Sequence, residues 1–530
     1  MEEKTVMLIG GKITGIEGME IKGECWEFLQ QDPHLYIQFE QPVQRISLNY
    51  KMEEASFDNR KDSSDGSDAY GEQTTIYYSR DSEDYSEIYT VKEEFYLGKG
   101  MHMDIEWDKP VSSIRLDLVE NKGQCRFSTF FLEGIPCVRG NDAKEKVIIL
   151  THELSKTGAP ILAYNIAKKM KDQGKEVMAL SLFPGNGYLE KRYGLEEIPV
   201  ICLNSHPRDE QKWIRIDGEG KRIDLSEEEH FKHIAEKLWN NGYRTVIANT
   251  VVSGICIGKL KEYGFKVISL IHEMKTTIEN YGFIEPGKSV AKYADYVVFP
   301  NEFVKEDFLT VFEKVNGKVA VRPQGVYLEE SEGENLEILK KYGLEGTTYV
   351  MSSGTGELRK GVDLFVSGAI MLLNRKPDVH FVWTGDFQSK ELECWLADQI
   401  HRSGYEGNFH FISFIKDNDT YGQILKHAKA FWGLSREDPF PSTVLEAMNY
   451  EIPVVGWSNT GGIHTMIENG GGILVDHFDM EEVVEKTCKI LDRKIRTRKN
   501  MLTRAKKYAQ SLNFEKYVEF LDECVKSIEE

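Results

Sequence analysis

From Lys144 onward, short apolar runs alternate with stretches of helical periodicity, and this alternation constrains the fold more than any other feature of the chain. Val147–Leu150, Val177–Leu182, Thr245–Ala248, Val267–Ile271 and Tyr296–Phe299 read as buried strands, while Ala163–Gln173 reads as a helix stopped by Gly174. Strand, helix, strand at this spacing predicts parallel strands joined by crossover helices. A second set begins near Thr348, with runs at Tyr349–Ser352, His380–Thr384, Asn408–Ile412, Ala430–Leu434 and Pro453–Gly456. The expectation is an α/β protein with two Rossmann-like domains facing a cleft. Open parallel sheets bind ligands beyond the carboxyl ends of their strands, so every strand-to-helix loop is a candidate site.

The first 141 residues have a different texture. Leu35–Phe39, Thr75–Ser79, Ser113–Leu118 and Cys125–Leu132 alternate and are rich in aromatic residues, with polar turns between them, which predicts an all-β sandwich-like domain. Asp58–Asp68 is too polar to bury and reads as a mobile loop; its aspartate spacing is near that of a calcium loop but lacks the closing glutamate. At 530 residues and 41% hydrophobic, the chain has the material for two or three cores. The eight cysteines show neither Cys-x-x-Cys nor zinc spacing, and a net charge of −20 disfavours nucleic acid as a partner. With no apolar run of about 18 residues and no basic leader, the expected address is the cytoplasm, without a transmembrane segment and with room for peripheral membrane contact.

Chemistry concentrates in "SREDPFPSTVLEAM", Ser435–Met448, between the strand Ala430–Leu434 and a helix beginning about Thr443. Ser442 and Thr443 are placed to cap that helix, whose free N–H groups make an anion site worth roughly 0.3–1 kcal/mol. Asp438 and Glu446 put one carboxylate on the loop and one in the helix, and carboxylates accept hydrogen bonds from sugar and ribose hydroxyls. The loop Ser352–Gly361, "SSGTGELRKG", offers glycines for close backbone approach, with Arg359 and Lys360 to neutralise a diphosphate. Thr151–Pro160 lies between the first strand and first helix, and His272 follows another strand.

Taken together, these segments resemble the retaining nucleotide-sugar glycosyltransferases of family 4, which have the GT-B fold. The resemblance covers roughly residues 144 to 510. The family's E-x7-E signature matches Asp438 to Glu446 with Asp in first place, and its KG pair matches Lys360–Gly361. The resemblance implies that Asp438, or the adjacent Glu437, addresses the donor sugar, that Glu446 holds the ribose, and that backbone around Pro441, Ser442 and Thr443 holds sugar or phosphate. Gly356 and Lys360 would lie at the phosphates, where Arg359 either joins them or faces solvent. His272 would stand near the bond being broken, and Thr157, Gly158 and Ala159 would form the acceptor-side loop. The implied catalytic set is His272, Asp438 and Lys360. The chain departs from the pattern at Thr355 or Gly354, where relatives carry Arg, and at His464, where many carry Glu.

The implied organisation is an accessory domain (1–141), an acceptor domain (142–326), a donor domain (327–510) and a last helix (511–530) packing back on the acceptor domain. The implied activity is a metal-independent, hexosyl-type retaining transfer from a nucleotide sugar to a glycan or glycoconjugate, as in bacterial polysaccharide synthesis, with no cofactor. Alternatives are a carbohydrate-binding scaffold with a decayed core, or a GT-B epimerase. Asp417-Asn-Asp419 spells a metal signature of the other transferase fold and reads as chance here. Gly385, Asp386 and Tyr327 read as scaffold.

Overall fold

A computed structural model describes residues 145–185, 188–204, 210–326, 330–331, 333–415, 417–492 and 498–529, and the strands within the first 136 residues. The polar segment Asp58–Asp68 and Tyr327 lie outside the described residues. The chain divides into two compact units, in the main Met1–Ile268 and Ser269–Ile528.

In the first unit the predicted apolar runs become strands. Val200–Cys202, Glu176–Ser181, Lys146–Thr151 and Thr245–Asn249 lie side by side in that order and are all parallel. The helix Gly158–Asp172 presents Leu162, Ala163, Ile166, Ala167 and Met170 on its buried face, the spacing of a one-sided helix.

The β-rich front carries all four predicted strands, within His34–Ser56, Ala69–Ser79, Gly100–Val119 and Gln124–Pro136. They are joined by hydrogen bonds in one β-rich network, with the strand Ala69–Ser79 pairing both Ser86–Tyr96 and Gly100–Val119. His34–Ser56 and Gly100–Val119 pair antiparallel along much of their length, Ile37 with Ile114 and Ile46 with Ile105, with register shifts between Gln38 and Arg45. Such irregularities bend strands. Tyr78 meets Trp107, with ring centres 5.9 Å apart, and Ile37, Ile46, Ile76, Met103, Ile105 and Ile114 of these strands are buried. A hairpin from later in the chain, Glu210–Ile216 with Arg222–Asp224, extends this sheet by pairing parallel to Gly100–Val119.

A charged seam ties the sheet to the helix Glu227–Asn240. Arg45 donates to buried Asp104 at 2.8 Å, His230 lies 3.4 Å from the same carboxylate, and Trp213 stacks on His230. Lys237 donates to Glu106 at 2.5 Å and His233 stands 3.0 Å from it. Burial works to raise the Glu106 carboxyl, but the His233 hydrogen bond and the Lys237 and Arg45 charges overrule it, bringing it down to about 2.

The second unit contains the parallel pair Tyr296–Phe299 and Lys318–Val321 and a six-stranded parallel sheet. Its strands are β1 (Thr348–Ser353), β2 (Val379–Thr384), β3 (Phe409–Ile412), β4 (Ala430–Gly433), β5 (Val454–Trp457) and β6 (Ile473–Val475), in spatial order β3-β2-β1-β4-β5-β6. The helices α1 (Val362–Leu373), α2 (Lys390–Ser403), α3 (Asn418–His427), α4 (Ser442–Asn449) and α5 (Gly462–Gly470) connect them. Phe365 of α1 packs edge-on against Trp383 of β2 and Trp432 of β4, which fixes α1 over the centre of the sheet. The strand order reverses between β1 and β4, the point where doubly wound sheets open a crevice for ligands. The last helix, Phe514–Glu529, sets Phe520 against Tyr296, with ring centres 6.5 Å apart.

Because the Glu106 carboxyl lies lower in the folded than in the unfolded chain, its contribution to stability is present above about pH 4.5 and is lost as pH falls toward 2. Glu106→Gln is expected to destabilise the first unit at pH 7 by on the order of 2–3 kcal/mol, read by urea unfolding, and to have little effect near pH 2. An equal effect at both pH values contradicts this.

Candidate functional site

The loops after β1 and β4 meet at the switch point, and backbone contact sets their distance. Gly361 adopts φ +76°, and a Cβ there would stand 2.2 Å from the Leu434 carbonyl oxygen. The Arg436 N–H donates to the Arg359 carbonyl at 2.8 Å, so the two loops run edge to edge. Side chains then fasten them. Arg436 grips Asp363, in the first turn of α1, with two bonds of 2.8 Å. Arg359 reaches Glu357 at 2.6 Å and the Glu437 carbonyl at 3.3 Å, bracing both loops. Lys360 donates to Asp438 at 2.6 Å, joining a partly exposed ammonium to a carboxylate that is only 4% exposed. Ser435 adds a longer contact to the same oxygen, 3.4 Å.

Glu437 points elsewhere. Its carboxylate accepts from the N–H and hydroxyl of Thr277, at 3.3 and 3.0 Å, in the helix Lys275–Asn280. Asn301 donates to the Pro439 carbonyl at 2.6 Å, and Met274 sulfur lies 2.8 Å from the place a Cβ on Gly461 would take. The segment that begins with half-buried His272 therefore runs beside the β4 loop.

The helix start differs from expectation. Ser442 and Thr443 do not cap α4; they are its first two residues, and Pro441 occupies the cap position without a side-chain bond. Pro441 keeps φ near −72°, where its ring holds the chain ready for the helix, and its carbonyl takes Val444 and Leu445 N–H. The N–H groups of Ser442 and Thr443 thus head the helix unused among the described residues, together with the positive end of its dipole. One turn on, Glu446 is buried at 6% exposure. Burial pushes its carboxyl up to about 7, against the neighbouring Tyr421 hydroxyl, which favours the charged form.

Other expected residues fall into place around this centre. Gly356 donates to the Asp386 carbonyl at 2.9 Å, and a side chain there would strike Phe387. Gly385 and Asp386 support the loop, the latter accepting from Phe414 N–H at 3.0 Å. His464 accepts from Asn459 N–H at 3.3 Å and so closes its own turn. Asp417 caps α3 by accepting from Thr420 N–H at 2.8 Å. Among the described residues no group of three or more His, Cys, Asp or Glu side chains is set to hold a metal ion.

The structure thus gathers Gly356, Arg359, Lys360, Glu437, Asp438, Pro441, Ser442, Thr443 and Glu446 on the β1 and β4 loops and the start of α4. Thr157, Gly158 and Ala159 belong to the first unit, where Thr157 precedes the helix Gly158–Asp172 and Asn249 donates to the Ala159 carbonyl at 2.7 Å. Nothing lies within 4 Å of a Cβ built on Gly158, so the loop is open there. The residues not anticipated are Arg436, Asp363, Tyr421, Thr277 and Asn301. Of these only Arg436 lay inside a segment already singled out.

The raised carboxyl of Glu446 has a measurable sign. The unfolded chain ionises it above about pH 4.5, whereas the folded chain keeps the proton to about 7 and then buries a charge. Glu446→Gln is expected to stabilise the ligand-free protein at pH 8 by on the order of 2–3 kcal/mol and to change it little at pH 4.5. Thermal melts of both chains at the two pH values test this, and destabilisation at pH 8 contradicts it.

Residues 335–510 match the family model described as glycosyl transferases group 1. Among curated proteins, mannosylfructose-phosphate synthase of Agrobacterium fabrum is 29% identical over 159 residues, 29% of this chain and 34% of its own length. A probable sucrose-phosphate synthase of Thermosipho melanesiensis is 26% identical over 241 residues, 41% of this chain and 52% of its own. The chain spans between about a third and a half of the length of the curated relatives it matches. Among solved structures, HepE of Anabaena in complex with UDP-glucose superposes with a TM-score of 0.59 at 17% identity, covering 72% of this chain and 99% of HepE. Sucrose-phosphate synthase of Thermosynechococcus elongatus gives 0.57 at 15% identity, over 73% of this chain and 99% of its own. The α/β part of the chain has the GT-B fold of these structures, and residues 335–510 are similar to the group 1 glycosyl transferases.

Proposed function

We propose that the protein transfers a sugar from a nucleotide-sugar donor to an acceptor hydroxyl with retained anomeric configuration, as family 4 enzymes do. The observation that carries this reading is the meeting, at one switch point, of Lys360, buried Asp438, the unused Ser442 and Thr443 N–H groups and buried Glu446. A diphosphate suits the ammonium and the helix end, a sugar hydroxyl suits Asp438, and a ribose diol suits Glu446. The UDP-glucose complex of the structurally similar HepE supports a nucleotide sugar as the ligand class.

Lys360 and Asp438 satisfy each other. Donor binding replaces that contact: the ammonium turns to the phosphates and the carboxylate to the sugar. The C1–O bond to the diphosphate then lengthens through an oxocarbenium-like state. The acceptor oxygen forms its bond to C1 on the same face, and the hydroxyl proton passes to the departing phosphate oxygen. Lys360 and the α4 N-terminus stabilise the charge developing on that phosphate, which is the largest contribution the protein makes and requires no metal. Arg359 braces the loops, Glu437 anchors the β4 loop to Thr277, Gly356 lets backbone approach the phosphates, and His272 stands near the reacting carbon. Thr157, Gly158 and Ala159 face the acceptor, a glycan or glycoconjugate of bacterial polysaccharide synthesis. Among the described residues no helix is long and apolar enough to cross a membrane.

The test is a thermal-shift panel of UDP, GDP, ADP and their common sugars on the native chain and Glu446→Ala, followed by proton NMR of any product anomer. One nucleotide should raise the melting temperature and lose that effect in the variant, the linkage reaching about 2.7 kcal/mol at a hundredfold excess over Kd. The product anomer should match the donor. Absence of any shift overturns the transferase reading, and an inverted anomer overturns retention. Donor consumption without an acceptor, yielding an epimeric sugar, favours the epimerase alternative.

A further inference from the structure

The helix α3 is fastened along one face to the segment that leads into the six-stranded sheet. The Ser331 hydroxyl donates to the Asp419 carbonyl at 3.1 Å, and a Cβ on Gly422 would strike that same hydroxyl. Gln423 accepts from Asn335 N–H at 3.1 Å, and Lys426 donates to the Gly333 carbonyl. Positions 419, 422, 423 and 426 have the spacing of a single helical face. That grip fixes the rotation of α3 and turns Tyr421, on another face, toward α4 and β1.

The Tyr421 hydroxyl is shielded from water and makes no hydrogen bond of ordinary geometry among the described residues. It faces the Glu446 carboxyl and the Ser353 hydroxyl. Ser353 is already engaged, donating to the Thr384 carbonyl at 3.3 Å and accepting from the Thr384 hydroxyl at 2.8 Å. Tyr450, the other phenol here, accepts from Ser331 N–H at 2.6 Å. Glu446 is therefore the acceptor left for the Tyr421 proton, and a buried hydroxyl is rarely left without one.

The charged groups on the elements around Glu446 are occupied or exposed. Lys360 is held by Asp438, and His427 of α3 by the Gln423 carbonyl at 2.8 Å. On the helix Arg498–Ser511, Lys506 pairs with Glu330 at 3.0 Å, Arg504 donates to the Gly470 carbonyl at 3.3 Å, and Lys499 and Lys507 face solvent. On α5, His464 closes its own turn and Glu468 is exposed. The partner available to an ionised Glu446 is thus a neutral phenol.

We infer that Tyr421 is a positioning residue for Glu446: its hydroxyl donates to the carboxylate once the proton has left, and holds it in the orientation that receives a pair of ligand hydroxyls. Identifying that diol as the ribose of a nucleotide rests on the transferase reading; the pairing of Tyr421 with Glu446 does not. The proton passes from Glu446 to solvent as the diol arrives, so binding is linked to pH. Glu446 ionises at about 7 in the folded chain, and the ionised form takes the diol, so binding strengthens as pH rises through 7 and levels off above it. Removing a donor that favours the ionised form moves that midpoint higher.

UDP, GDP and ADP are titrated calorimetrically into the native full-length chain, Tyr421→Phe and Tyr450→Phe at pH 7 and pH 9, each variant being compared with the native chain at the same pH so that ionisation of the nucleotide cancels. Tyr421→Phe should bind about fivefold more weakly at pH 7 and nearly as the native chain does at pH 9, whereas Tyr450→Phe should show no such dependence on pH. A second readout needs no ligand. The stabilisation that Glu446→Gln brings should grow from about pH 4.5 and level off near pH 7 in the native background, and about one pH unit higher in the Tyr421→Phe background. Levelling at the same pH in both backgrounds, or equal weakening of nucleotide at pH 7 and pH 9, overturns the inference. If no nucleotide binds the native chain yet the levelling point moves, Tyr421 keeps its role and the transferase reading falls; nucleotide binding with an unmoved levelling point does the reverse.

Discussion

The second unit turns on one close contact, the Leu434 carbonyl against Gly361. With a Cβ position only 2.2 Å from that oxygen, no side chain fits, and the loops of β1 and β4 come together as backbone against backbone. The other contacts between these two loops accompany that close approach. It lets Arg436 donate to the Arg359 carbonyl, lets Arg436 fork onto Asp363, and places the Lys360 ammonium on Asp438. A side chain at 361 would separate the loops and disperse the charges.

The electrostatics of the site are arranged before any ligand arrives. The chain as a whole carries −20, which repels anions at long range, so attraction for any anionic ligand has to be local. Lys360 supplies it, with the start of α4 beside it. The two buried carboxylates stay tolerable for different reasons: Asp438 has a cation, whereas Glu446 keeps its proton to about 7 because burial disfavours the charge. Removing Lys360 leaves Asp438 uncompensated, a change on the order of 3–5 kcal/mol for a buried pair and smaller for this partly exposed one.

Much of this was legible in the sequence because it depends on local periodicity. The apolar runs marked the parallel strands, the glycines and the charged residues marked the loops after β1 and β4 as candidates, and Asp438, Glu446 and Lys360 lay inside segments already singled out. What stayed hidden depends on contacts far apart in the chain. Asp363 and Arg436 are 73 residues apart, and Thr277 and Glu437 are 160 apart; neither pair has a spacing that announces it. Ser442 and Thr443 looked like caps because hydroxyls before a helix usually are, yet Pro441, with φ already helical, took the position. Asp417, which spelled part of a metal motif, is a helix cap. The front region showed its strands but not their length or pairing, since alternation reveals which face is buried and not which strands are neighbours. The hairpin Glu210–Ile216 and Arg222–Asp224 joined that sheet from outside the expected boundary.

The central claim, that the β1 and β4 loops hold a nucleotide diphosphate through Lys360, is tested most directly by phosphorus NMR of the tightest-binding nucleoside diphosphate with the native chain and Lys360→Met. The account predicts that the native chain shifts and broadens the β-phosphate resonance and that Lys360→Met largely abolishes the change while remaining folded. A β-phosphate that responds identically in both proteins would place the diphosphate elsewhere and contradict the account.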